Sequence, residues 1–179
     1  MKILLVAVCV LEHEGRIPLI KFKRNYLKGF WGLPGGKLEE HEHLKEGAAR
    51  EIKEELGLDA RVERSLGVVD ELAVHPDGSV TRPVLFVTQM RPTGAVSRRR
   101  RELPEGTIRW FTPGEIAGLE SEMVPSDFQI LKQLYQAGRN GYYRSKLVWK
   151  GTRMQLEYFE RTGTDTTSSA VSAVAPARR

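Results

Sequence analysis

Cysteine occurs once in this chain, at position 9, so no internal disulfide can form. That usage suits a reducing compartment, and a cytoplasmic location is the expectation. Cys9 sits inside the apolar run Ile3 to Leu11, where a small buried residue is a better reading than a nucleophile. Hydrophobic runs long enough to span a bilayer are missing. The run after Lys2 superficially resembles the apolar part of a signal peptide. It is short, lacks a small-residue cleavage site and breaks at Glu12-His13-Glu14-Gly15, so it is read as a buried first strand. Internal repeats are absent, and acidic residues are outnumbered: 28 Lys and Arg stand against 23 Asp and Glu, for a net charge of +5. Such a balance attracts phosphate-bearing partners without identifying them.

With 179 residues, 40% of them apolar and 28% charged, the composition is that of a globular domain with room for a proper core. Strands are expected over Ile3–Leu11 and Pro18–Lys23, joined by a turn at His13-Glu14-Gly15. Further strands are expected over Ala60–Val69 and Val80–Met90, with His75-Pro76-Asp77-Gly78 turning between them, and over Thr107–Phe111. Thr112-Pro113-Gly114-Glu115 reads as a helix start. Ser126-Asp127 is a candidate cap for a second helix carrying Phe128, Ile130, Leu131, Leu134 and Tyr135. Tyr143–Trp149 and Met154–Phe159 flank Lys150-Gly151-Thr152 and read as a β-hairpin: an added sheet edge, a dimer contact, a lid, or plain packing on the core. From Thr162 the large apolar residues almost vanish, and a disordered tail is expected. The divisions are therefore a main domain over residues 1–140, a hairpin extension over 141–161 and a tail over 162–179.

Most functional information lies between Gly35 and Leu58. Trp31-Gly-Leu-Pro-Gly-Gly reads as a short strand running into a glycine turn, approached by Lys23, Arg24 and Lys28. A helix follows, with Leu44, Ala48, Ile52 and Leu56 as its apolar stripe and Gly57 as its left-handed cap. Residues three and four apart share a helix face, so Glu51, Glu54 and Glu55 crowd carboxylates into one area. A hard divalent cation would relieve that repulsion. Gly47, one turn before Glu51, removes a side chain and lets the preceding loop pack closely.

Gly36, Glu42, Arg50, Glu51, Ile52, Glu54, Glu55, Gly57 and Leu58 fall on the spacing G-x5-E-x7-R-E-U-x-E-E-x-G-U, where U is bulky and apolar. That is a complete match to the Nudix box, and the chain resembles the Nudix hydrolases, of MutT type, from about Met1 to Gly138. The resemblance implies an α/β fold, an α/β/α sandwich with a mixed sheet, carrying here a C-terminal β-hairpin extension. It implies a magnesium-dependent hydrolase, with manganese as a substitute, that cleaves the diphosphate of a nucleoside diphosphate derivative by attack of water at phosphorus. Nucleoside triphosphates, nucleotide sugars and dinucleoside polyphosphates are the candidate substrates.

On the matching positions, Glu51, Glu54 and Glu55 would bind metal with help from the Gly35 carbonyl, and Glu39 is a further metal neighbour to consider. Glu51 is the first choice of general base, with Glu102 and Glu105 as candidates from a later loop. Gly36, Glu42, Arg50 and Gly57 would hold the box together, Arg50 and Glu42 by ion pairing. The run Arg98, Arg99, Arg100 and Arg101 reads as a solvated loop or as a clamp on substrate phosphates or RNA. Trp31, Phe30, Phe86 and Trp110 are candidates for stacking a base, each with core packing as the competing reading. The downstream signatures of NADH pyrophosphatases and coenzyme A hydrolases are missing, as is the cysteine motif of the isomerase branch. Two alternatives stay open: an RNA 5′-pyrophosphohydrolase, and a non-catalytic nucleotide-sensing module. The expected partner is a small nucleotide, with nucleic acid less expected, no membrane, and a homodimer compatible.

Overall fold

A computed structural model describes residues 1–162; the expectation for the tail from position 163 falls outside the described residues. The chain runs β1 (Lys2–Leu11), β2 (Ile17–Phe22), β3 (Trp31–Gly32), β4 (Gly35–Lys37), α1 (Leu44–Leu56), β5 (Ala60–Val74), β6 (Val80–Pro92), β7 (Arg101–Glu102), β8 (Gly106–Phe111), α2 (Pro113–Ala117), α3 (Pro125–Gln129), β9 (Gly141–Lys150) and β10 (Arg153–Arg161). A π-helical segment, Ile130–Gln136, continues α3. Six strands form a mixed sheet in the order β10-β9-β5-β6-β1-β4, and β3-β2-β8-β7 form a smaller antiparallel one. The β1–β6 and β5–β9 pairs are parallel.

The unbroken apolar run of β1 is explained by burial on both faces. Ala7, Cys9 and Leu11 pack with Ile52 and Leu56 of α1, whereas Val8 and Val10 pack with Leu131, Leu134 and Tyr143 on the other side. Helices thus cover two faces, giving the α/β sandwich with its mixed sheet. Cys9 is fully buried, and burial pushes its thiol up to about 12, so it is a core residue. Of the stripe on α1, Ala48, Ile52 and Leu56 are buried and Leu44 is partly so. The helix ends at Gly57, whose φ of 69° lies in the left-handed region.

Three local expectations need correction. Gly35 and Gly36 are not a turn but part of a strand, with Gly35 opposite Val8 and Gly36 opposite Ala7. At φ 138° and against the Ala7 carbonyl, position 35 has no room for a side chain. β5 continues past Val69 to Val74, because the inward alternation persists through Glu71 and Ala73 despite the charges. Ser126-Asp127 does not cap α3, which begins at Pro125; the Asp127 carboxylate accepts the Leu33 N–H at 2.9 Å instead.

The hairpin β9–β10 is not a separate lobe. β9 pairs with β5 from Gly67↔Gly141 to Val74↔Val148, adding two strands to the main sheet. Its Leu147, Met154 and Trp149 pack with Val124, Leu27 and Phe30. Ile52 is fully buried between α1 and the sheet. Ile52→Ala is therefore expected to lose roughly 2–5 kcal/mol of stability, seen as a lower urea midpoint at unchanged slope. A loss below half a kcal/mol would contradict the packing described.

Candidate active site

Arg50, on the exposed side of α1, gathers the acidic residues around it. Its guanidinium donates to both Glu42 oxygens, Nε at 2.9 Å and Nη2 at 2.7 Å, and to the Lys37 carbonyl at 3.1 Å. Nη1 donates to Glu51 Oε1 at 2.9 Å and to Glu54 Oε2 at 3.3 Å. Glu39 lies further out, 3.9 Å from Nε. The fork on Glu42, helped by the Glu39 N–H, holds that carboxyl at about 2. Two glycines make the arrangement compact. A side chain on Gly36 would collide with the Glu51 carboxylate, and one on Gly47 with Leu38 and Glu42. The expectation that Gly47 lets the loop pack closely is met.

Glu55 points elsewhere. It is buried and accepts the Gly35 N–H at 2.9 Å. Burial pushes its carboxyl up to about 8, with the negative charges of Glu51, Glu105 and Glu54 adding to the effect. Burial also raises Glu51, against the pull of Arg50. The three acids therefore do not converge as a ready ligand set, and among the described residues no three Asp, Glu, His or Cys side chains do. The physical reason is the guanidinium, which draws Glu51 and Glu54 to itself while Glu55 turns to the strand. The donor chemistry nonetheless fits a hard divalent cation. The groups are all carboxylate oxygens, and Glu55 is held against its charged form in a neighbourhood with negative charge to spare.

The loop candidates separate. Glu102 accepts from Lys23 Nζ at 2.7 Å, Thr107 Oγ1 at 2.8 Å and Arg100 Nε at 2.8 Å. These bonds hold it at about 2, a weak base. Glu105 is near enough to Glu55 to act on its charge. The arginine run does not act as one group. Arg98 pairs with Glu14 at 2.6 Å, Arg100 with Glu102 at 2.7 Å, Arg101 lies against Gly57, and Arg99 is exposed. Arg98 and Arg100 join Arg16 and Arg109 around a separate depression of about 260 Å³.

A cavity of about 480 Å³ adjoins the box through Gly35 and Lys37. None of Phe30, Trp31, Phe86 and Trp110 lines it; Trp31 and Trp110 are core residues. The aromatic residues that do are Phe22, Tyr26, His75 and Trp149. Tyr26 stacks on His75 at 4.1 Å, and Trp149 stands 6.0 Å from Tyr26 and 5.3 Å from His75. Two buried acids, Glu71 and Asp127, also line the cavity. Glu71 accepts from Ser145 Oγ at 2.9 Å. Burial pushes Glu71 and Asp127 each up to about 7, and the charge of Glu71 adds to the rise at Asp127. Sequence reasoning missed these residues. The available signal was Glu71 itself, a charged residue at an inward position between Val69 and Ala73.

Carboxyls raised by burial keep protons in the folded chain that they release on unfolding, so the folded state binds more protons between the ordinary carboxylate value and the raised one. Metal-free protein is therefore expected to lose stability as pH rises from roughly 5 to 8. Glu71→Gln, with no proton to lose, should flatten that fall. Urea midpoints across the range test this, and stability rising with pH there would contradict it.

A family profile described as the NUDIX domain matches residues 1–134. The chain is similar to a MutT-like protein of Streptomyces ambofaciens, 36% identical over 118 residues, covering 66% of this chain and 69% of that one. It is similar to an ADP-ribose pyrophosphatase of Mycobacterium tuberculosis, 32% identical over 68% of this chain but only 59% of the relative. Its match to the ADP-ribose pyrophosphatase of Methanocaldococcus jannaschii, at 44% identity, spans 44% of this chain and 46% of the relative. Among solved structures, a MutT protein from Bacillus halodurans superposes with a TM-score of 0.65 over 88% of this chain and 96% of that one, at 22% identity, a likeness of fold. With the box spacing, the sandwich and the family match in agreement, the chain belongs to the Nudix hydrolase family.

Proposed function

We propose that the chain is a magnesium-dependent hydrolase of a nucleoside diphosphate derivative, cleaving its diphosphate linkage by attack of water at phosphorus. The observation that carries this reading is the junction at Gly35, where the carboxyl-rich box meets the wall of the cavity. The names of two similar proteins, both ADP-ribose pyrophosphatases, support the substrate class. Glu51, Glu54 and Glu55 would hold the cation, with the Gly35 carbonyl as a further oxygen. When bound, that ion neutralises the diphosphate and lowers the pKa of a water.

The rest falls to the chain's own side chains. Arg50 fixes Glu51 and Glu54 at one edge of the site and keeps their repulsion low. Glu51 is the proposed acceptor of the water's proton, since it lies in the box and its basicity is raised by burial. Glu102 is too firmly bonded to serve, and Glu105 is the remaining loop candidate. Glu42 and Glu39 act as braces on Arg50. Neither alternative gains from the geometry. Arg98 and Arg100 are each engaged by an acidic residue and line a depression separate from the cavity at the box, and the box carboxylates a sensing module would dispense with are all present.

Glu55→Gln and Glu51→Gln are each expected to lower turnover by about 10²- to 10⁴-fold. Inorganic phosphate release with a coupled phosphatase, over a nucleotide panel with magnesium or with chelator, measures this. Manganese should substitute in part. Turnover unchanged by Glu55→Gln, or undiminished in chelator, would overturn the reading.

A further inference from the structure

Three segments far apart in the chain bring four arginines to one depression of about 260 Å³. Arg16 comes from between β1 and β2, Arg98 and Arg100 from between β6 and β7, and Arg109 from β8. Trp110 also lines it, and no residue is shared with the cavity beside the box. A hollow lined by one sign of charge concentrates ions of the other sign.

Carboxylates answer this charge only in part. Arg16 Nη1 donates to Glu115 at 3.3 Å, and Arg98 Nη2 pairs with Glu14 at 2.6 Å. Arg100 places Nε and Nη2 on a single oxygen of Glu102, at 2.8 and 2.7 Å. Two of these acids serve other donors as well. Glu102 accepts from Lys23 Nζ and Thr107 Oγ1, and Glu115 accepts from the Thr112 N–H and hydroxyl. Arg109 enters none of the ion pairs among the described residues; its guanidinium stands 5.1 Å from the centre of the Phe111 ring and 5.9 Å from that of Trp31. With Lys23 included, the cations Arg16, Lys23, Arg98, Arg100 and Arg109 outnumber the carboxylates Glu14, Glu102 and Glu115.

A guanidinium carries five N–H donors, so each arginine keeps donors beyond those named. Exposed ion pairs of this kind are weak and easily exchanged. The arginine fork matches phosphate oxygens, which accept two parallel N–H bonds at once. Space then sets the size of the guest. Drug-sized ligands occupy roughly 300–1,000 Å³, so this smaller hollow suits a compact polyanion better than a whole nucleotide. We propose that Arg16, Arg98, Arg100 and Arg109 form a second anion site, apart from the box, that takes free phosphate anions, pyrophosphate above all. Glu14 and Glu115 compete with the anion for the same guanidiniums, and its binding ties turn, loop and strand together.

Calorimetric titration with pyrophosphate, in chelator and at constant ionic strength, tests the site without metal at the box. Saturable binding is expected, weakened roughly 10- to 100-fold by Arg98→Gln and by Arg109→Gln. Glu14→Gln removes a competitor for Arg98 and should tighten binding several-fold, an effect that a merely structural arginine would not produce. Thermal midpoints without ligand show which variants fold. Arg100→Gln, at a side chain 68% exposed, keeps the test open where another variant fails to fold. ADP and a short single-stranded RNA represent phosphate from other sources, and both should bind these arginines more weakly than pyrophosphate does. Affinity unchanged in the folded arginine variants, no tightening in Glu14→Gln, or tighter arginine-dependent binding of ADP or RNA would each overturn the assignment. The titration involves no hydrolysis, so its outcome leaves the hydrolase reading untouched.

Discussion

One guanidinium holds the acidic site together. Arg50 bonds Glu42 through two nitrogens, reaches Glu51 and Glu54 through a third, and caps the Lys37 carbonyl, so that loop, strand and helix share a single positive charge. The planar fork of arginine suits such a task, where a lysine would offer one point charge. Around it, space rather than attraction sets the geometry. Glycine at 36 leaves room for the Glu51 carboxylate, and glycine at 47 for Glu42 and Leu38. The cluster is compact because side chains are missing where they would push it apart.

Electrostatics then divide the acids by environment. Glu42 and Glu102, each bonded to cations, sit at about 2, whereas Glu55, Glu71 and Asp127, shielded from water, are raised well above the ordinary carboxylate value. The first pair serves as scaffold. The second set lies in the box and along the wall of the adjoining cavity, shielded from water.

The box was legible in the sequence because its spacing is long and each position has a physical reason. The helix, its apolar stripe and its Gly57 cap all lie where the periodicity puts them. What escaped were contacts set by tertiary packing. Two adjacent glycines look like a turn, and only the pairing with Ala7 and Val8 makes them a strand. Asp127 has the composition of a helix cap, and only the approach of Leu33 gives it another partner. Trp31 and Trp110 proved to be core, while Tyr26, His75 and Trp149 reach the cavity from a loop, a turn and a hairpin far apart in the chain. The arginine run reads as one patch on paper, but its members meet different neighbours.

Two parallel ladders close the main sheet, joining Lys2 to Thr81 and Gly67 to Gly141. Contacts between residues so distant in sequence incur loop-closure entropy before they yield any stabilisation, which slows folding. During synthesis, the first strand must wait for β6, and β5 must wait for β9. Until β9 emerges, one flank of β5 offers unpaired backbone groups, a template for mispairing with other chains. The wall that Leu147 and Trp149 give the cavity therefore arrives last in the growing polypeptide, and a nascent chain completes that cavity only after the box helix has already been made.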